Sequence, residues 1–161
     1  MTRRWAAEGA SVFLWFSAIG CGLLGGLYFA FSTFIMRALA SLAGALGAAA
    51  MNAINRDILR SLFMPLFFGT SLASVALAAL ALLDLAAPRS MLMLAGGIIY
   101  PLGMFVVTMA ANVPLNNKLA RAEGVGAVWA DYLKRWTPWN HVRTLSSTLA
   151  SGLFIGAIAL T

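Results

Sequence analysis

Between residues 112 and 143 the chain gathers side chains able to bind an oxygen anion or to move a proton. Asn112, Asn116 and Asn117 close one apolar run, and Trp136, Trp139, Asn140, His141 and Arg143 open the next. Amides and a guanidinium donate hydrogen bonds to a carbonyl or enolate oxygen. In a dry site such donors strongly stabilise negative charge as it develops. Indole rings offer flat apolar faces, and three of the five tryptophans fall in this stretch. His141 is the sole histidine, and its intrinsic pKa suits proton transfer near neutral pH. Polar groups this concentrated in an apolar chain are costly unless they have partners or a task.

The elements that must hold these groups are membrane helices. The 161 residues are 61% hydrophobic and only 10% charged, against about 25% charged in soluble domains. Four stretches without charge, Ser11–Met36, Ser61–Leu83, Ser90–Asn117 and Thr144–Thr161, mark four spans. A helical span needs roughly 20 apolar residues, and the fourth stretch reaches that only by including Trp139 to Arg143. The expected fold is all-α, a single transmembrane domain over 1–161, with spans near 11–36, 61–83, 90–113 and 139–161. Short interfacial helices are expected in the first and third loops. No cleaved leader is expected, because the apolar run after Arg3-Arg4 outlasts the roughly 7–15 residues of a signal core.

The net charge of +6 is not a nucleic-acid patch, because the basic residues lie between spans. The N-terminal segment and second loop hold Arg3, Arg4 and Arg89, while the first and third loops hold the other eight Lys and Arg. Basic loops mark the cytoplasmic side, so the first and third loops are expected in the cytoplasm of a bacterial inner membrane.

Local patterns place the candidate groups more closely. Ala18, Gly22, Gly26 and Ala30 recur every four residues, a spacing that lets helix backbones approach; Gly152 and Gly156 repeat it. Bundle packing is the plain explanation. A helix is expected near Leu46–Arg60, with Met51, Ile54, Ile58 and Leu62 on one face and Asn52, Arg56, Asp57 and Arg60 elsewhere. Asn55 interrupts the apolar face, either as a buried structural amide or as a cavity group. The third span should kink at Tyr100-Pro101 and stop at Asn112-Val113-Pro114, since a residue before proline avoids helical geometry. Gly124-Val125-Gly126 should split the hydrophilic stretch that follows. Trp129, Tyr132, Leu133 and Trp136 share a stripe, with Trp129 and Tyr132 read as interfacial aromatics. Thr137 and Pro138 look like the cap and first residue of the last helix. From there Asn140, Arg143, Thr144, Ser147 and Ser151 form a polar stripe facing inward. Trp139 lies at its edge and His141 to one side.

Several chemistries fit poorly. One His, one Cys and no acid within any span cannot assemble the ligand set of a redox or Lewis-acid metal, and the Met residues fall at packing positions. Haem on His141 alone is a remote alternative. Cys21 is a packing residue. Proton-coupled export would need a membrane-embedded carboxylate, which no span supplies.

In this context the chain resembles the anthrone oxygenase-like family of small integral membrane proteins. The likeness is carried by Phe31-Ser32-Thr33-Phe34-Ile35-Met36, by Ala49 to Arg56, by Leu62-Phe63-Met64 with Phe68-Gly69-Thr70, by Asn112 to Asn117, and by Trp129, Tyr132, Trp136 and Trp139 to Arg143. It departs at Arg37, where a proline is usual, and at Asn52, where a glutamine is usual; both are read as lying outside the polar cluster. The resemblance implies oxygenation of an anthrone or a related hydrophobic polycyclic phenol by O2, with no metal, flavin or other cofactor. It casts Arg143 and Asn140 as stabilisers of the anionic oxygen, with His141, Tyr132 or water as base. Asn55, Asn112 and Asn116 would complete the polar wall, with Trp136 as stacking surface flanked by Trp139. The expected partners are the substrate, O2 and the bilayer, with homo-oligomerisation left open. The rival expectation is a non-enzymatic scaffold or lipophile-binding or transport subunit.

Overall fold

A computed structural model describes residues 2–122 and 125–160. Helix α1 (Thr2–Ala30) passes through a π-helical turn, Phe31–Ile35, into α2 (Met36–Ser41). Helix α3 (Gly44–Ile58) lies in the first loop, and α4 (Phe63–Leu83) returns across the bundle. Helix α5 (Ser90–Tyr100) continues through two π-helical stretches, Pro101–Val106 and Thr108–Asn112, into α6 (Val113–Ala120). A single long helix, α7 (Val125–Ala159), completes the chain. No strand occurs among the described residues.

Four helical segments are long and apolar enough to cross a membrane: Ser11–Ser41, Phe63–Leu83, Ser90–Ala120 and Gly126–Ala159. Their outer faces carry exposed Ile19, Leu23, Leu72, Leu145 and Ile155, as a lipid-facing surface requires. The chain is an integral membrane four-helix bundle with an extra helix in its first loop.

Small residues let the helices close. An added Cβ at Gly97 would strike the Ser74 carbonyl and the Ala78 side chain, so glycine sets the contact of α4 with α5. Gly22 lies against Ser151, whose hydroxyl donates to the Ala18 carbonyl at 2.8 Å, and Gly25 lies against Ser147 and Thr148. Of the expected small-residue stripe, Ala18 is buried and Gly22 meets Ser151, whereas Gly22, Gly26 and Gly152 are exposed and the last two have no close neighbour.

Two expected helix ends are absent. Asn112 and Val113 keep right-handed helical dihedrals, so the third span continues through Pro114 to Ala120. Proline tolerates the early positions of α6 because the π-helical stretch before it has already shifted the hydrogen-bond ladder. Likewise Thr137-Pro138 does not start a helix; Pro138 sits inside α7. It is exposed, as is Lys134 one turn earlier, so the lost ladder bond falls at the polar end of the helix. At Pro101, the expected position of a kink, the helix changes from α to π geometry. The expected break at Gly124 lies outside the described residues.

The bundle has two apolar cores. Leu14, Cys21, Leu24, Leu77, Met93, Tyr100 and Phe154 belong to one. The other joins α2, α3, α6 and α7 through Met36, Met51, Leu115, Trp129, Tyr132 and Trp136. Trp129 and Tyr132 are thus buried rather than interfacial, because α3 folds back over them. Gly47 permits that approach: a Cβ there would lie 3.0 Å from the Trp129 ring.

Candidate functional site

The polar stripe of α7 faces inward, with Asn140, Arg143, Thr144 and Ser147 buried and Ser151 half-buried. Arg143 is only 5% exposed. Its guanidinium carbon lies 4.4 Å from the centroid of the Tyr28 ring and 5.0 Å from that of Trp136. Cation–π contacts of this kind are worth about 2 kcal/mol when desolvated. Nη2 donates to Asn140 Oδ1 at 2.6 Å and Nη1 to Thr108 Oγ1 at 3.4 Å, while Nε has no partner. No carboxylate of the described residues pairs with this cation. Two rings and two neutral oxygens hold the charge, so its electrostatic demand remains open to a ligand.

Asn140 is fully buried and makes bonds in three directions. Its Nδ2 donates to the Tyr28 carbonyl at 2.7 Å and to Ser32 Oγ at 2.8 Å, and its Oδ1 receives Arg143. The Tyr28 carbonyl lies just before the π-helical turn at Phe31–Ile35, where the ladder shifts and an acceptor is freed. Asn140 therefore fixes α7 to α1 and aims Arg143.

Asn116 is fixed similarly. Its Oδ1 accepts both Tyr132 Oη at 2.8 Å and Trp136 Nε1 at 3.0 Å. An amide whose oxygen is doubly occupied has its NH2 oriented by default, so Asn116 is a fixed donor. Asn112 is buried and donates to the Trp136 carbonyl at 3.3 Å. It braces the third span against α7.

Beside these groups lies a cavity of about 640 Å³, within the usual range for small-molecule sites. Its polar lining includes Arg143, Thr108, Asn116, Asn52 and Asn55; Tyr28, Phe31, Phe63, Phe67 and Trp136 are its aromatic walls. Asn52 Oδ1, Asn55 Nδ2 and Tyr28 Oη are buried without hydrogen-bond partners. Native proteins leave few such groups, and here three belong to residues around one hollow.

The structure brings together Arg143, Asn116, Asn55 and Trp136 at the cavity, with Asn140, Asn112 and Tyr132 bracing them from behind. It does not bring His141 or Trp139 there: both face outward, Trp139 being 45% exposed. The Trp136 ring is stacked with Tyr132 at 5.9 Å and carries the guanidinium, so it clamps Arg143 more than it offers a free face. Asn52 and Arg56, expected to point away, line the cavity instead. Tyr28 and Thr108 escaped the sequence reading because each is a weakly polar residue set among apolar neighbours, and no periodicity sets it apart. Among the described residues no three His, Cys, Asp or Glu side chains group together.

A family model described as anthrone oxygenase matches residues 59–153, more than half of the chain. The chain belongs to the anthrone oxygenase family. The segment matched by that family contains Thr108, Asn112, Asn116, Tyr132, Trp136, Asn140 and Arg143, whereas Tyr28, Asn52 and Asn55 precede it. No curated protein and no solved structure matches this member of the anthrone oxygenase family.

Proposed function

We propose that this protein is a membrane oxygenase that uses O2, without a cofactor, to oxidise an anthrone or a similar flat, hydrophobic, acidifiable phenolic substrate. The observation that carries this reading is the buried Arg143 guanidinium, lacking a carboxylate partner, at the wall of an aromatic-lined cavity. An anthrone loses a proton from its central methylene to give an anion delocalised onto the ketone oxygen. Arg143 and the Asn116 NH2 stabilise that oxygen as charge develops on it. The anion passes one electron to O2, giving a carbon radical and superoxide, which join as a peroxide anion that takes back the first proton to become a hydroperoxide. Loss of the second methylene proton and of hydroxide leaves the new carbonyl. The balance is anthrone plus O2 to anthraquinone plus water.

Asn140 positions Arg143, and Tyr28 and Trp136 hold it from the sides. Among the described residues no carboxylate or imidazole lines the cavity, so water or hydroxide is the base this geometry favours. The same hollow suits a lipophile carrier, and oxygen consumption separates the two functions. Purified protein in detergent with a model anthrone should consume one O2 per anthraquinone formed, above the spontaneous rate. A catalysed rate of zero with every anthrone tried would leave a binding protein.

A further inference from the structure

The cavity wall has a gap between α4 and the third span. Helices α4 and α5 run antiparallel and are joined at mid-bundle. Gly97 meets Ser74 and Ala78 there, and the Tyr100 and Thr70 hydroxyls lie 2.7 Å apart. One further turn toward the first and third loops, Phe105 packs on Phe67 at 5.3 Å and on Phe68 at 6.0 Å. Beyond that aromatic floor the two elements part. Helix α4 packs closely on α5 and α1 and only lightly on Pro101–Val106, with no packing of even that extent on Thr108–Asn112 or α6 among the described residues. Met64 and Phe68 line one side of the resulting slit, Met109 and Val113 the other, and all four border the cavity. Phe68 and Met109 keep 45% and 50% of their surface free of protein contact.

The position of the slit decides what it opens onto. Phe68 lies five residues inside α4, about 7 Å below its start at 1.5 Å per residue. Met109 lies about 28 Å along the third span from Ser90, within a hydrocarbon layer about 30 Å thick. With Phe63 and Ser90 taken as the two hydrocarbon boundaries, both residues lie at acyl-chain depth. Thioether side chains are flexible and adapt to passing surfaces.

We infer that the slit between α4 and Thr108–Val113 is a lateral entrance through which the substrate passes from the bilayer into the cavity, with Phe68 and Met109 as its gate. The inference rests on the proposed function for the identity of the ligand, which is planar, apolar and already dissolved in the membrane. It enters ring-first past the gate, and its oxygen reaches Arg143 at the far wall.

The test uses a hydroxyanthraquinone that cannot be oxidised further, added to vesicles holding the full chain, with quenching of tryptophan fluorescence as the signal. Met109→Phe puts a rigid ring in the slit on the bilayer side, and Ala120→Phe adds a larger increment of bulk at the loop end. A lateral gate predicts that Met109→Phe slows association and dissociation together by about tenfold while Kd holds within about threefold. Ala120→Phe should leave both rates unchanged, and Phe68→Ala should accelerate both, which guards against a misfolded narrowing variant. Slowing by Ala120→Phe alone would overturn the inference, and so would a Met109→Phe effect confined to Kd or no binding by the wild type. Gated binding without anthrone oxidation would instead sink the proposed reaction and leave the entrance standing.

Discussion

Arg143 holds its charge by stacking and neutral hydrogen bonds rather than by an acid, and this makes it sensitive to conservative change. A lysine at this position would keep the charge but lose the planar fork that serves Asn140, Thr108 and two aromatic rings at once. Arg143→Lys should lower turnover by at least about 10²-fold, the loss typical when a donor to a developing oxyanion is removed. Anthraquinone formation followed by absorbance would measure it, with circular dichroism as the check on folding. His141 gives the opposite expectation, because its side chain faces outward. His141→Ala should keep turnover within about twofold, since surface substitutions rarely exceed about 0.5 kcal/mol; a loss of tenfold or more in the same assay would return histidine to the mechanism. The Asn and Arg groups were legible in the sequence because a polar residue inside an apolar run stands out. Tyr28 and Thr108 were not, because which side of a helix meets the cavity depends on the bundle as a whole.

At the scale of elements, the π-helical stretches explain what the sequence pattern left hidden. Periodicity at 3.6 residues predicts the facing of a side chain only while the helix keeps that period. Phe31–Ile35, Pro101–Val106 and Thr108–Asn112 depart from it, and the third span rotates to bring Thr108, Asn112 and Asn116 toward α7. Pro101 announced one such change. Pro114 and Pro138 look the same in sequence, yet helices run through both. The glycine contacts are firmer ground. Any side chain at Gly97 must displace the Ser74 carbonyl or Ala78, so Gly97→Val should destabilise the α4–α5 pair by about 1–3 kcal/mol, as overpacking does elsewhere. A thermal melt in detergent reads that loss, and an unchanged melting temperature would mean the two helices can separate freely at this point.

For the whole molecule, the four spans and the helical class were readable from charge-free run lengths, the fourth once Trp139 to Arg143 is counted with it, since the bilayer dictates both. Orientation rests on loop charge and has its own test. Cysteine placed at exposed Ala86, in the second loop, should react with an impermeant maleimide on intact cells, whereas Arg121→Cys should react only after lysis. The reverse pattern would invert the protein in the membrane. The central claim is that one end of the bundle stabilises an oxygen anion inside an apolar hollow. Spectral titration of a bound hydroxyanthraquinone, whose colour reports its ionisation, examines that claim most directly. Wild-type protein should lower the pigment's apparent pKa by about 1–3 units, the effect of a close guanidinium, and Arg143→Gln should abolish the shift while the pigment stays bound. An equal shift with glutamine at 143, or a pigment that becomes harder to ionise on binding, would contradict it.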